Sequence, residues 1–284
     1  MKKTIAAILA GALCLTALTA CGGSKTDSAA ADSSSAAAGD DKTITVGATP
    51  TPHAEILNAA KDALEAEGYT LNVVEFTDYV QPNTALVDGD LDANYFQHTP
   101  YLEQFNKEQG THLVAVGKVH FEPMSIYAGT VKDLKDIPAG TKVGIPNDAT
   151  NGGRALLLLE ANGLIKLNPD AGVTATKLDI TENPYNLEIV EMEAAQLPLS
   201  LGDLGFAAIN ANYALQNKLT QDDALATEDA ESVAAKTYGN VVVVKEGNEN
   251  SKKIKALVDV LKSDSIKKFI NEKYDGAVIV YDGE

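Results

Sequence analysis

Arg154 is the only arginine in the chain, and it stands in a stretch whose neighbours matter: Asn147-Asp148-Ala-Thr-Asn151-Gly-Gly-Arg154, between a strand-like run ending at Ile145 and an apolar helical run. Backbone N–H groups at a helix N-terminus favour an anion, and a guanidinium grips a carboxylate through two parallel hydrogen bonds. The stretch has the chemistry of a carboxylate site. It is not a P-loop, because the Gly-Lys-Ser/Thr signature is missing. The alternative is a capping loop with a surface arginine. In either case, an arginine near a helix start gains nothing from the dipole there, so its removal should change folding little.

A second group of residues suits an apolar ligand arm. Asn94-Tyr95-Phe96-Gln97-His98-Thr-Pro100-Tyr101, with Asp78-Tyr79 upstream, places aromatics and a histidine at a strand-to-helix turn. Such rings accommodate apolar groups, including a polarizable thioether. Core packing of the same rings is the competing account. Asn210 and Asn212 follow the apolar run Ala207-Ala-Ile209, and Asn240 opens another. Their amides can donate to a carboxylate or accept from an ammonium, although isolated asparagines are more often turn formers.

Enzyme chemistry finds little support. The four histidines, His53, His98, His112 and His120, show no His-Glu-x-x-His arrangement, and Gly-x-Ser-x-Gly does not occur. His98, His120 and Glu122 could serve a metal-capture protein, but their spacings are not diagnostic. No cofactor is expected.

The elements that would position these residues alternate. Thr43-Ile-Thr-Val-Gly reads as a strand, followed by a helix from near Pro52 with Ile56, Leu57, Ala60 and Leu64 on one face, and a strand at Leu71–Phe76. Further runs follow at 85–87 and 93–96, then a helix over about 100–109 and a strand at 113–116. Later come a strand at 142–145, a helix through 154–159 and strands at 189–190 and 207–209. Two terminal helices and a tail strand at 277–280 close the chain. This βαβα order predicts an α/β fold with largely parallel sheets and sites at strand C-termini. Two extended stretches, His120–Thr130 and Tyr238–Val244, look like crossings between lobes. The economical arrangement puts residues 42–126 plus 240–284 in lobe one and 127–239 in lobe two, with a ligand cleft between them. The segment between them that runs from Thr220 to Glu231 is polar and acidic.

The formal charge of −17 makes nucleic acid and anionic lipid headgroups poor partners. At the N-terminus, Lys2-Lys3, an apolar run and small residues form an export-signal pattern over 1–20, too short for a comfortable membrane span of about 20 apolar residues. Leu18-Thr19-Ala20-Cys21 resembles the lipobox of bacterial lipoproteins, which implies acylation of Cys21 and a cell-membrane, extracytoplasmic location. Residues 21–41 lack aromatics, Leu, Ile and Val, the composition of a disordered linker. With Cys14 in the signal and Cys21 acylated, disulfides and thiolate chemistry are not expected in the mature body.

Five motifs carry a further resemblance. Val46-Gly-Ala-Thr-Pro50-Thr-Pro-His-Ala-Glu-Ile56, Asn94-Tyr-Phe-Gln-His98-Thr-Pro-Tyr-Leu102, Ile145-Pro-Asn-Asp148, Gly153-Arg-Ala-Leu-Leu-Leu-Leu159 and Ile209-Asn-Ala-Asn-Tyr-Ala214 resemble, in order and spacing, the methionine-binding lipoproteins of ABC importers. The resemblance implies a two-lobed, type II periplasmic-binding-protein-like fold that delivers L-methionine, or a methionine-containing dipeptide or other small amino acid, to a permease and its ATPase. An adhesin on the same fold is the alternative of another class. Carried over residue by residue, Arg154 would hold the ligand carboxylate with Asn210 and Asn240, and Asn151 matches the loop before the arginine. Tyr79, Phe96, His98 and Tyr101 would enclose the side chain. Glu122 would receive the ammonium, with His120 beside it. The sequence departs from the family pattern at Leu199, where arginine is usual, and at Thr51 and Ser125, where glycine is common. Leu199 bears on the transporter-docking surface more than on the pocket.

Overall fold

The structure, a computed structural model, describes residues 42–229 and 237–283. The expectations for the signal, the linker and Cys21 lie outside the described residues. Two mixed sheets organise the body, and Lys166–Leu167 (β7) and Ile180–Glu182 (β8) form a separate antiparallel pair. The first has six strands in the order β13-β4-β12-β3-β1-β2: Thr43–Ala48 (β1), Thr70–Glu75 (β2), Ala93–His98 (β3), Leu113–Phe121 (β4), Gly239–Lys245 (β12) and Ile279–Val280 (β13). The second has five, in the order β11-β5-β10-β6-β9: Ser125–Ala128 (β5), Lys142–Pro146 (β6), Glu188–Met192 (β9), Phe206–Ile209 (β10) and Ala224–Thr227 (β11).

Expected parallel pairing holds for only part of each sheet. β1 is parallel to β2 and β3, and β6 to β9 and β10, but β12 runs antiparallel to both β3 and β4, and β5 antiparallel to both β10 and β11. Parallel neighbours need a crossover that returns the chain along its own sheet. β5 and β12 instead arrive from the other sheet and enter from the opposite end. The chain passes from the first sheet to the second between Phe121 and Ser125, and β12 brings it back. Two other readings shift as well: the run at 85–87 lies in a helix, Gln81–Asp88, and the acidic stretch contains β11.

Each sheet has its own apolar core. Around the first, Ile44, Val46, Tyr95, Val242 and Val244 pack with Leu57, Leu257 and Ile270 from flanking helices. β12 is Gly-Asn-Val-Val-Val-Val-Lys, buried along its whole length except Lys245, as β-branched residues suit a central strand. Around the second sheet, Ile126, Val143, Ile145 and Phe206 pack with Leu156 and Leu159 of the helix Ala149–Ala161. That helix is capped by Asp148, which accepts from the Asn151 N–H at 2.9 Å. Its first turn contains Gly152 and Gly153 because the backbone comes close there: a Cβ on Gly153 would lie 2.6 Å from the Val173 carbonyl oxygen. No helix among the described residues is long and apolar enough to cross a membrane.

Candidate functional site

Elements of both sheets converge on one cleft of about 350 Å³. From the first sheet come Phe96, Gln97 and His98 at the end of β3, Tyr101 in the following helix Thr99–Gln109, Glu122 just past β4 and Asn240 in β12. From the second come Asn151 and Arg154 in the first turns of helix Ala149–Ala161, and Asn210 and Asn212 at the start of helix Ala211–Gln216. Tyr79, His53 and Ala211 complete the lining. Of the ten site residues expected from sequence, only His120 stands behind this wall, fully buried against Glu122.

Three rings form an apolar box. Tyr79, Phe96 and Tyr101 lie with centroids 5.7–6.1 Å apart, the Tyr79–Tyr101 and Phe96–Tyr101 pairs edge-to-face. Tyr79 is fixed through its hydroxyl, which donates to Asn212 Oδ1 at 2.6 Å, and Tyr101 through its own, which donates to the Tyr79 carbonyl at 3.0 Å. His98 caps the Tyr101 helix by accepting the Tyr101 N–H on Nδ1 at 3.1 Å. That leaves Nε2 as the donor to Asn151 Oδ1 at 3.0 Å, and the same oxygen accepts from Asn210 Nδ2 at 2.7 Å. A polar chain thus runs from β3 to the second sheet.

Glu122 is held by two imidazoles. His120 Nε2 lies 2.7 Å and His53 Nε2 3.2 Å from the same Oε1, while His53 Nε2 also meets Asn240 Oδ1 at 3.0 Å. Thr49 and Tyr95 hydroxyls engage the respective Nδ1 atoms, so neutral rings with the proton on Nε2 satisfy every partner. Burial sets the charge states. It lowers His53 to about 4 against the raising effect of Glu122, and His120 to about 3. His98 falls to about 3 through burial and the nearby Arg154. Burial raises Glu122, with His53 and Arg154 opposing. For metal capture, His98 is out of place on Asn151. His53, His120 and Glu122 are the group whose ligand-type atoms lie within 4.8 Å of one another.

Arg154 is not a surface residue. Its Nε donates to Glu228 Oε1 at 2.8 Å, and its Nη2 to Glu228 Oε2 at 2.5 Å and to the Glu122 carbonyl at 2.7 Å. Both partners of the ion pair are almost completely buried. Burial works against the guanidinium charge, and Glu228 overrides it, holding Arg154 above its ordinary range. The expectation that removing Arg154 would change folding little is corrected here, because its loss would strand a buried carboxylate. Arg154 lines the cavity, and among the described contacts three of its five guanidinium N–H groups are committed, through Nε and Nη2 rather than Nη1.

The lining also holds unpartnered polar atoms. Asn210 Oδ1 and Asn212 Nδ2 are buried without a hydrogen-bond partner, one acceptor and one donor. Among the described residues the cavity therefore offers a guanidinium edge, a held carboxylate beside it, two unsatisfied amide atoms and an aromatic box. Such a set can take a small zwitterion with an apolar arm. His53 and Glu228 were missed by sequence reasoning. His53 sat in a recognised motif without a stated role, and Glu228 was one acid among 40. Leu199 is 68 % exposed on the turn Pro198–Asp203, away from the cavity lining.

Residues 44–281 match the family described as NlpA lipoprotein. This chain belongs to the NlpA lipoprotein family. Within reach of this NlpA chain, the methionine-binding lipoprotein MetQ of Bacillus subtilis is 48% identical over 245 residues, 84% of this chain and 88% of that protein. Among solved structures, a lipoprotein from Ruminococcus gnavus shares 56% identity with a TM-score of 0.84, over 85% of this chain and 100% of that one. A nutrient binding protein from Burkholderia cenocepacia, solved bound to methionine, shares 42% identity with a TM-score of 0.79, over 84% and 99% of the two chains. The fold is the mixed α/β, two-lobed architecture of this NlpA family's binding proteins.

Proposed function

We propose that this chain is the solute-binding component of an ABC importer, taking up L-methionine or a close relative at the extracytoplasmic face. The observation that carries the reading is the composition of the cavity where elements of both sheets converge. Arg154 and Glu122 both line it, and their charges act on one another, so it presents a cation and a carboxylate to the carboxylate and ammonium of an α-amino acid. The box of Tyr79, Phe96 and Tyr101 suits a thioether arm. The MetQ name and the methionine-bound relative agree with it. In this reading Arg154, Asn210 and Asn240 serve the carboxylate side, Asn151 and His98 hold the wall between lobes, and Glu122 receives the ammonium with His120 behind it. The lobes, expected at 42–126 plus 240–284 and 127–239, follow the sheets in this reading, so that Ser125 and Ile126 of β5 go with the second lobe and Gly239 of β12 with the first, and they close over the ligand. Cys21 carries the lipid tether, and a permease with its ATPase receives the solute.

Titration of the soluble body, from Lys42 onward, with free amino acids tests the ligand. L-Methionine at 100 times its dissociation constant should stabilise the fold by about 2.7 kcal/mol. Equal stabilisation by unrelated amino acids, or none by L-methionine, would defeat the reading. A bound divalent metal in natively purified protein, found by mass spectrometry, would favour the His53–His120–Glu122 group as a metal site instead.

A further inference from the structure

Glu228 follows β11 in the acidic stretch and lies outside the cavity lining, yet it makes more contacts to the site's framework than a charge-balancing residue requires. Its two oxygens take the Nε and Nη2 edge of Arg154, and Oε2 also accepts the Met124 N–H at 2.8 Å. Its own backbone N–H donates to the Met124 carbonyl at 3.0 Å. Met124 lies in the passage from the first sheet to the second. The guanidinium is further bracketed by the ring of Tyr238, 4.4 Å away on the approach to β12, and by that of Phe121, 5.5 Å away at the end of β4. Both connections between the sheets therefore meet on one side chain, whose Nε and Nη2 are held by Glu228.

We propose that Glu228 is a positioning residue: by holding the Nε–Nη2 edge of Arg154 against Met124, it aims Nη1 at a ligand carboxylate and ties that contact to the passage between the sheets. The inference rests on the reading of Arg154 as the carboxylate receptor. Its physical basis is the fork geometry of arginine. A guanidinium clamped on one edge keeps a fixed plane, whereas an unclamped one loses orientation each time it binds. Glu228 also keeps the buried cation paired when no ligand is present, so the receptor exists before the ligand arrives.

The test compares L-methionine with methionine amide, which lacks the carboxylate, by calorimetry on the folded protein and its variants. Glu228→Gln is isosteric, but its amide cannot satisfy both Arg154 donors and Met124, since a donor must face a donor. The expected result is a loss of about tenfold to a hundredfold in L-methionine affinity with little change for the amide. A merely structural role would weaken both ligands alike. Glu228→Asp keeps the charge and shortens the arm, and should narrow the ratio in the same direction. If the ratio stays at the parent value in whichever variant folds, the inference is overturned. Arg154→Ala separates the two levels of the argument. An unchanged L-methionine affinity there removes Arg154 from the site altogether. A collapsed ratio in Arg154→Ala, with a preserved ratio in the Glu228 variants, overturns the role of Glu228 alone.

Discussion

At the scale of single residues, the site's histidines store stability that acid should release. His53, His98 and His120 are held neutral, at about 4, 3 and 3, chiefly by burial. In the unfolded chain each returns to about 6.5. A basic group depressed in the folded state contributes fully above pH 6.5 and loses that contribution as pH falls toward 4. Each histidine then costs about 1.4 kcal/mol per pH unit below 6.5. Burial raises Glu122 and Asp148, and a raised carboxyl works the other way, since the folded state takes up its proton more readily. Three histidines against two carboxyls should leave a net loss of a few kcal/mol between pH 7 and 5, on the order of one histidine's share per pH unit or more. Urea unfolding midpoints at pH 7, 6 and 5 check this, and a flat profile would contradict the neutral, buried state of the three rings. The sequence showed His98 and His120 as candidates and gave His53 no role, but a ring's protonation depends on what surrounds it, and Tyr95 beside His120 and Asn240 beside His53 come from other strands.

At the scale of elements, the helix Ala149–Ala161 delivers both Asn151 and Arg154, and its seating depends on two glycines. A methyl at Gly153 would meet the Val173 carbonyl oxygen at 2.6 Å and the Ala175 N at 3.2 Å, and one at Gly152 the Pro146 carbonyl oxygen at 2.9 Å. Helix propensity favours alanine over glycine by about 1 kcal/mol. Backbone atoms cannot swing aside as a side-chain tip can, so overpacking should prevail by about 1–3 kcal/mol. Gly153→Ala is thus expected to lower the urea midpoint and weaken L-methionine binding together, because the displaced turn carries the receptor residues. A stabilised Gly153→Ala protein would show that the helix has room to move. The apolar run over 154–159, after a loop able to cap a helix, made this helix readable in advance, although it starts earlier, at Ala149. The antiparallel course of β5 and β12 was not, since alternation of strands and helices says nothing about the end at which a strand enters a sheet.

At the scale of the whole molecule, no helix among the described residues is long and apolar enough to cross a membrane, and the proposed arrangement places the anchor at Cys21. One acyl chain gives only marginal binding, so stable retention through Cys21 calls for more than one. Cys21→Ser should move the protein from the membrane fraction to the soluble fraction, assayed after cell fractionation. A variant that stays with membranes through a high-salt wash would rule out Cys21 as the anchor. The exposed position of Leu199 places that family departure on a surface a transporter could contact, apart from the cavity.

The sequence by itself determined the α/β class and the family, and it named nine of the residues that line the cavity, because these are written in local signals: strand and helix periodicity, and short motifs whose residues stay near one another in the chain. Tertiary structure alone decided how those residues are used. Glu228 meets Arg154 across 74 positions, and His53 meets Asn240 across 187. Nothing in the spacing of either pair marks it. An ion pair or a shared proton is set by distance and exclusion of water, and both arise only when two sheets bring remote segments to the same buried place.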